Sequence, residues 1–409
     1  MLSELCRFSG STEGYAIVSE VAARHRFLAY AVGGFGLSMN AVLYLLVPLR
    51  ADELGAGVGV IGLLVGVKAL LETVLSVPMG AFMDRVGAKR SIQIGTAATA
   101  LVGVGMMAAP SLWLLFVLQA LMGVVRPLGW IGGQSYAAGL RGGKHRSHDA
   151  GRFSSVANLG QIVSPILAGA LVGWQGPQTG FAIVVVLGAV FFVVSLGLLD
   201  IGRAPASAGT GSGFGAALGL MRLSRIQTVM FLTFNRLWIP AAWSSFFPLY
   251  LVDHGASPTV AGSVISAMAV VATITSFFTG RIARLGTPVA VTSVALALGC
   301  LGVAVAPVFD TMPLFYLAAA LVGIGQGLSL PMLITLMSDA APAEQRSLAL
   351  GLRSGVNQAA ATVAPVAIGP LIGAAGLVVG FPVAAAVGLA FVLAAVWSAR
   401  RDPADTTAR

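Results

Sequence analysis

Twelve long apolar segments constrain the fold of this chain more than any other feature of its sequence. Each is close in length to the ~20-residue helix that crosses the hydrocarbon core of a bilayer. Backbone groups in lipid must be hydrogen-bonded within the protein, so these segments are expected to be helices. With 57% hydrophobic and 10% charged residues, the chain falls outside the globular range. The predicted helices, numbered in chain order, cover residues 27–49, 57–80, 91–110, 112–138, 152–174, 179–199, 226–251, 259–280, 288–307, 313–337, 347–373 and 376–399.

The basic residues predict how these helices are oriented. An even number of helices puts both termini on the same side of the membrane. With that side taken as cytoplasmic, the inner segments hold 19 of the 24 Lys and Arg residues, whereas Arg50 lies in an outer loop. The positive-inside rule therefore predicts a multi-pass protein of the plasma membrane with both termini cytoplasmic. Because the net charge of +9 is spread over short loops, no nucleic acid is expected as a partner.

A charge-dense turn separates predicted helices 2 and 3. The stretch from Gly80 to Arg90 reads GAFMDRVGAKR, and its Gly87 suits a turn with positive φ. This spacing resembles the signature loop between helices 2 and 3 of the major facilitator superfamily of secondary transporters. The resemblance implies that Asp84 faces a helix N-terminus in the other half of the protein and latches one conformation. The implied gating residues are Gly80, Asp84, Arg85, Gly87, Lys89 and Arg90. The alternative is that these charges only anchor the loop at the cytoplasmic surface.

The chain also resembles itself at an offset of 200 residues. The matching pairs include Pro48/Pro248, Gly55/Gly255, Gly62/Gly262, Arg146/Arg346, Gly151/Gly351, Pro165/Pro365 and Gly169/Gly369. This repeat predicts an all-α polytopic membrane protein of 12 transmembrane helices in two pseudo-symmetric six-helix halves, as in the major facilitator fold, with substrate bound between the halves near the midplane.

The repeat also predicts the domain boundaries. We expect a cytoplasmic tail at 1–26, a first half at 27–199, a linker at 200–225, a second half at 226–399 and a tail at 400–409. In the second half the charged turn is replaced by GRIARLG, which contains no acidic residue. A latch based on a carboxylate is therefore expected in the first half.

Predicted helix 5 carries a pattern of small residues around a proline. Gly151, Gly160, Pro165 and Gly169 resemble the antiporter motif of drug/proton exporters, with Ser164 and Ala168 in place of two of its glycines. The resemblance implies export and a gating role for Gly160 and Pro165. Small residues also let membrane helices approach closely, so close packing alone is the alternative explanation.

Ionisable residues inside the predicted helices point to a coupling site. Glu72 is the one carboxylate at midplane depth, and Lys68 lies one turn earlier on the same helix face. Arg126 and Arg236 fall at a similar height, and Arg126 resembles the helix 4 arginine of proton-coupled family members. We predict that Glu72, Lys68 and Arg126 couple transport to protons; a purely structural ion pair is the alternative. Arg353 is expected to extend to the cytoplasmic surface.

Polar and aromatic residues of predicted helices 1, 4, 7 and 10 supply the candidate substrate site, because those helices line the pathway in the family. The candidates are Asn40, Gln119, Arg126, Trp130, Asn235, Arg236, Trp238 and Gln326. Three midplane cations against Glu72 favour a substrate with an anionic or electron-rich group beside an apolar body that stacks on Trp130 or Trp238. In the alternative, Arg126 gates or couples and Arg236 packs against helix-end carbonyls.

These features predict a secondary transporter rather than an enzyme, working by alternating access without a cofactor or metal. The favoured activity is proton-coupled export of small amphipathic organic compounds by a monomer embedded in the lipid bilayer. An uptake symporter or a uniporter for a polar or anionic metabolite is the alternative. The chain has no G-x-x-x-x-G-K-[ST] motif for an ATP-driven pump. A channel would need no repeat of two halves with latch loops, and a receptor would usually carry a larger soluble domain.

Overall fold

The computed structural model describes residues 27–28, 30–139, 146–199, 219–308, 311–342 and 345–401. Throughout these ranges the chain is an all-α bundle without strands. The predicted N-terminal tail at 1–26, most of the predicted linker and residues 402–409 lie outside the described residues. The domain boundaries therefore stay a prediction, whereas the all-α fold class is confirmed.

Each of the twelve predicted helices has a counterpart in the structure. Ten of the described helices are long and apolar enough to cross a membrane by length and composition. The helices are α1 (Gly33–Glu53), α2a (Val58–Val74), α2b (Ser76–Val86), α3 (Ala88–Ala108), α4 (Leu112–Gly139), α5 (Arg146–Gln175), α6a (Pro177–Gly180), α6b (Ala182–Leu196), α7 (Ser224–Asp253), α8a (Pro258–Phe277), α8b (Thr279–Ile282), α9 (Pro288–Val305), α10 (Met312–Ala340), α11 (Arg346–Ala375) and α12 (Leu377–Arg400).

The second and seventh predicted helices are not among those ten. The second is broken at Leu75, because Pro78 has no N–H to donate to the carbonyl of Val74 and its ring crowds that carbonyl. The seventh, α7, is less apolar because Asn235 and Arg236 lie in its middle. Most of α7 is nevertheless buried, so its polar residues are shielded from lipid by neighbouring helices.

Backbone geometry confirms the two-fold repeat. Gly55 and Gly255 have φ of 80° and 82°, and Gly176 and Gly376 have φ of 90° and 78°, so equivalent turns lie 200 residues apart. Helices α5 and α11 begin at Arg146 and Arg346 and end at Gln175 and Ala375. The charged turn itself contains Gly87 with φ of 86°, as expected.

The two halves meet closely at the end of the bundle that carries the turns at Gly55 and Gly255, which we call the far end. Helix α2a crosses α11 with Gly62 against the carbonyl oxygen of Pro365, and α8a crosses α5 with Gly262 against the carbonyl oxygen of Pro165. A Cβ atom at either glycine would overlap that oxygen. Equivalent backbone contacts therefore close the far end on both sides of the pseudo-two-fold axis.

The opposite end carries Arg85, Lys89, Arg90, Arg281 and Arg284, and we call it the basic end. Here α2b packs against α3 and α4 of its own half. On α11, a Cβ atom at Gly351 or Gly355 would have no described atom within 4 Å. The halves thus touch at the far end and separate towards the basic end.

We expect Gly62→Ala and Gly262→Ala each to destabilise this conformation by about 1–3 kcal/mol, because an added methyl group forces the crossing helices apart. The measurement is the thermal unfolding midpoint in detergent. Gly355→Ala, in a helix interior with open space around it, is the control and should not lower the midpoint. Equal midpoints for all three variants would contradict the close contact.

Candidate functional site

A charged cluster lies where α1, α2a and α4 meet in the first half. Lys68 and Glu72 are four residues apart and share one face of α2a. Gly123 lets α4 approach this face closely, because a Cβ atom there would lie 2.6 Å from the carbonyl oxygen of Lys68. Arg126, nearly one turn further along α4, is thereby brought to Glu72. The packing of small residues thus positions a cation from a second helix.

Glu72 is the centre of this cluster. Its Oε1 atom accepts from Arg126 Nε at 3.0 Å and lies 2.8 Å from Arg126 Nη2 and 3.5 Å from Lys68 Nζ. Its Oε2 atom accepts from Gln358 Nε2 of α11 at 3.4 Å. The carboxylate therefore bridges two cations of its own half and an amide of the other half. The predicted Lys68–Glu72 pair is present, but Arg126 is the nearer partner.

The two cations also have neutral partners, which complete their coordination. Lys68 Nζ donates to Asn40 Oδ1 at 2.6 Å and lies 5.4 Å from the centre of the Tyr44 ring. Arg126 Nη1 donates to the carbonyl oxygen of Gly36 at 3.3 Å. The side chains of Lys68, Glu72 and Arg126 are 4%, 8% and 9% exposed, so the ion pairs are screened little by solvent.

A second cationic cluster lies in the other half, between α7, α10 and α11. Arg236 Nη1 donates to Asn357 Oδ1 at 3.3 Å, and Gln326 donates its amide N–H to the carbonyl oxygen of Arg236. Arg353 lies one turn before Asn357 on the same face of α11. The Nε and Nη1 atoms of Arg353 are buried without a hydrogen-bond partner, while the residue as a whole is partly exposed. Its predicted extension to the cytoplasmic surface stays a prediction.

Each cluster contains a hydrogen bond at the same position of the repeat. Arg126 of α4 donates to the carbonyl oxygen of residue 36, and Gln326 of α10 donates to that of residue 236. Both donors thus bind equivalent carbonyl oxygens on the first helix of their half. The donor side chain is charged in the first half and neutral in the second half.

Four predicted substrate residues remain, two on α4 and two on α7. Gln119 is buried on the same face of α4 as Arg126, and Trp130 packs against Phe153 at 5.6 Å between ring centres. Asn235 contacts Cys300 of α9, and Trp238 donates to the carbonyl oxygen of Ala384 on α12. These two face away from Arg236, so the structure does not bring them to the polar clusters.

The predicted gating residues lie at two places. Arg85 and Arg90 are exposed at the basic end, Lys89 is partly exposed there, and the side chains of Gly80 and Asp84 lie outside the described residues. On α5, a Cβ atom at Gly160 would lie 2.9 Å from the carbonyl oxygen of Gly34, and Pro165 faces Gly262 across the halves. The small residues of α5 therefore serve close packing within and between the halves.

A separate apolar groove of about 740 Å³ opens on the first half between α1, α5 and α6b. Its floor contains Gly34 and Ser38, whose counterparts in the second half are Phe234 and Trp238. Those aromatic rings stack 5.7 Å apart and occupy the equivalent space. The groove therefore results from small residues on α1, and it lies apart from both charged clusters.

Comparison with known sequences identifies a family and distant relatives. The family model described as Major Facilitator Superfamily matches residues 26–365 and 241–409. Multidrug resistance protein MdtH of Yersinia enterocolitica serotype O:8 / biotype 1B is 31% identical over 161 residues, which cover 38% of this chain and 38% of that protein. MdtH of Yersinia pestis (strain Pestoides F) is 32% identical over the same length. The chain thus matches less than half the length of these relatives.

Solved transporter structures share the fold at low sequence identity. The nucleoside transporter NupG has a TM-score of 0.77 at 14% identity, covering 92% of this chain and 98% of that one. A peptide transporter POT variant has a TM-score of 0.73 at 15% identity, covering 94% and 98%. A bacterial homolog to the human lysosomal transporter Spinster, in an inward-facing and occupied conformation, has a TM-score of 0.71 at 15% identity, covering 93% and 95%.

Neutralising Glu72 is expected to destabilise the fold by about 3–5 kcal/mol, because Lys68 and Arg126 would keep buried charges without a counter-ion. Adding Arg126→Gln to Glu72→Gln should recover about 1–3 kcal/mol relative to the sum of the single changes. The measurement is the free energy of unfolding in detergent.

Glu53→Gln is the matched control for this cycle. It removes a carboxylate that pairs with Arg50 at 2.7 Å but is 45% exposed, so its loss should be smaller. Additive effects of Glu72→Gln and Arg126→Gln would show that the two side chains do not interact.

Proposed function

The chain belongs to the Major Facilitator Superfamily, and from that premise we propose that it is a proton-coupled exporter of small amphipathic organic compounds. As a member it is a multi-pass membrane transporter and not an enzyme. The proposal concerns the coupling ion, the direction of transport and the residues that carry each role. It rests chiefly on one observation, the position of Glu72 between the two halves.

Glu72 can link protonation to movement of the halves. In this conformation its charged form is stabilised by Arg126 and Lys68, and its second oxygen accepts from Gln358 across the interface. A proton on Glu72 would remove the attraction to both cations and replace an acceptor by a donor. Because Gln358 belongs to α11 of the other half, the contact between the halves would change with the proton. Glu72, Lys68 and Arg126 are therefore our proposed coupling group.

The arrangement of the two ends supports alternating access. The halves touch at the far end through the contacts of Gly62 and Gly262 and separate towards the basic end. By the positive-inside rule we assign the basic end to the cytoplasmic side of the membrane. The structure is then the inward-open state. In the opposite state the basic end closes, and we assign that latch to Asp84 and its neighbours.

The direction of transport is proposed from two features. The small-residue pattern of α5 resembles that of drug/proton exporters, and the MdtH relatives are named as multidrug resistance proteins. The fold also occurs in proteins named as nucleoside and peptide transporters. A proton symporter for uptake would use the same coupling group, so the direction has to be tested in oriented vesicles.

Glu72→Gln is expected to abolish concentrative transport, because its side chain cannot change charge during the cycle. The measurement is accumulation of anionic, neutral and cationic aromatic compounds in everted vesicles, with and without a proton gradient. Glu53→Gln is the control and should transport like the wild type. If Glu72→Gln still concentrates a compound at normal stoichiometry, the coupling role is wrong and the cluster is structural.

Asp84→Asn is expected to slow turnover by about tenfold while substrate affinity stays within about twofold, since a lost charge-assisted contact of about 1.5 kcal/mol acts on switching alone. Counterflow in proteoliposomes measures turnover, and equilibrium binding measures affinity. Arg284→Gln, in the acid-free turn of the second half, is the control. A variant that loses binding but keeps its switching rate would overturn the assignment.

A further inference from the structure

Two arginines of the second half lie together without a counter-ion. Arg236 of α7 donates to Asn357 of α11, which lies one turn beyond Arg353, and neither arginine forms an ion pair with any described carboxylate. Arg236 Nε, Arg353 Nε and Arg353 Nη1 are buried without a hydrogen-bond partner. Both side chains are partly buried, and guanidinium nitrogen atoms that are buried with unused N–H groups are costly within a membrane protein. Apart from the bond of Arg236 to Asn357, the pair thus presents three buried nitrogen donors without a partner and a positive charge that no described carboxylate neutralises.

The repeat shows that the fold itself does not require these charges. The residues equivalent to Arg236 and Arg353 in the first half are Gly36 and Phe153. Gly36 is covered by Trp130, which stands where a Cβ atom would be, and Phe153 packs against Trp130 in the apolar core. The same helix crossing is thus built from apolar residues in one half and from two cations in the other. The difference points to a ligand rather than to packing.

The position of the pair suits a ligand that enters from the open end. Asn357, which accepts from Arg236, lies one turn beyond Arg353 on the same face of α11. Arg236 and Asn357 are 12 and 11 residues from the starts of α7 and α11, so both lie about 17 Å from the basic end. The halves separate towards this end, which leaves an approach to the pair.

The pair is also adjacent to the proposed coupling group. Asn357 faces Arg236, and the next residue, Gln358, donates to Glu72 at 3.4 Å. Two neighbouring side chains of α11 therefore connect the uncompensated cations of one half with the carboxylate of the other. A ligand that drew Arg236 away from Asn357 would act on the helix that holds Gln358 at Glu72.

The geometry points to Arg236, Arg353 and Asn357 as the binding site for the anionic group of the transported substrate. The substrate class is a small organic anion, a carboxylate or sulfonate on an apolar body. Its oxygens accept from the unused guanidinium N–H groups, because arginine presents a fork of donors that matches such groups. This assignment deepens the proposed export function and rests on it for the statement that the ligand is transported.

The test uses three naphthalene compounds that differ in charge on one scaffold: 1-naphthoate, 1-naphthamide and 1-naphthylmethylammonium. Binding to the purified full chain in detergent is measured by calorimetry. We expect the wild type to prefer the carboxylate to the other two by about tenfold or more, as a charge-assisted hydrogen bond provides. Arg236→Gln and Arg353→Gln should each abolish that preference, with the affinity for 1-naphthamide changing less than about threefold.

Two further variants separate the charge of the site from its geometry and from the charge of the surrounding surface. Arg236→Lys keeps the charge but loses the fork of donors, so it should retain part of the preference for the carboxylate. Arg281→Gln removes an exposed arginine at the basic end and should bind like the wild type. Retained binding of 1-naphthamide by the glutamine variants shows that they are folded.

Two outcomes would overturn the inference: a wild-type preference for the amide or the ammonium compound, or a carboxylate preference that survives in both Arg236→Gln and Arg353→Gln. Equilibrium binding needs no proton gradient and no transport. Selective anion binding without gradient-driven transport would therefore contradict the proposed function alone. Proton-driven transport without anion selectivity would contradict this inference alone.

Discussion

The free-energy cost of charge inside a membrane bundle governs the arrangement of this protein's interior. Each buried cation must find a carboxylate, a carbonyl oxygen or water. In the first half one carboxylate, Glu72, serves both Lys68 and Arg126, and Asn40 and the carbonyl oxygen of Gly36 take the remaining donors. In the second half Arg236 has one amide oxygen, and Arg353 keeps buried nitrogen atoms without a partner. The halves share a backbone plan and differ in how completely their charges are neutralised.

Helix α11 connects these two environments. It crosses α2a through Gly62 and Pro365, holds Gln358 against Glu72, and carries Arg353 and Asn357 beside α7. These three contacts therefore lie on one helix. Coupling between a proton and a substrate therefore requires no long chain of residues here, because adjacent positions of one helix face the two sites.

Local rules predicted much of this arrangement from the sequence, and tertiary contacts supplied the rest. The apolar segments, the repeat around Gly55 and Gly255, and the pairing of Lys68 with Glu72 follow from length, composition and helical spacing. The approach of Gln358 to Glu72 could not be predicted, since it depends on how two distant helices cross. Asn235 and Trp238 were predicted at the substrate site because they are polar or aromatic on a pathway helix, yet they face α9 and α12. The position of a residue in a predicted helix gives its depth in the membrane. Which face of the helix points to the centre of the bundle depends on how the neighbouring helices pack.

The groove beside Gly34 and Ser38 makes the packing of the two halves unequal at one corner. In the second half Phe234 and Trp238 stack on each other, and Trp238 donates to the carbonyl oxygen of Ala384, so that aromatic side chains join α7 to α12. In the first half Phe191 of α6b meets Phe35 of α1 edge to face, and the groove stays open beside them. Small residues on one helix thus leave a cavity where the repeat has aromatic rings.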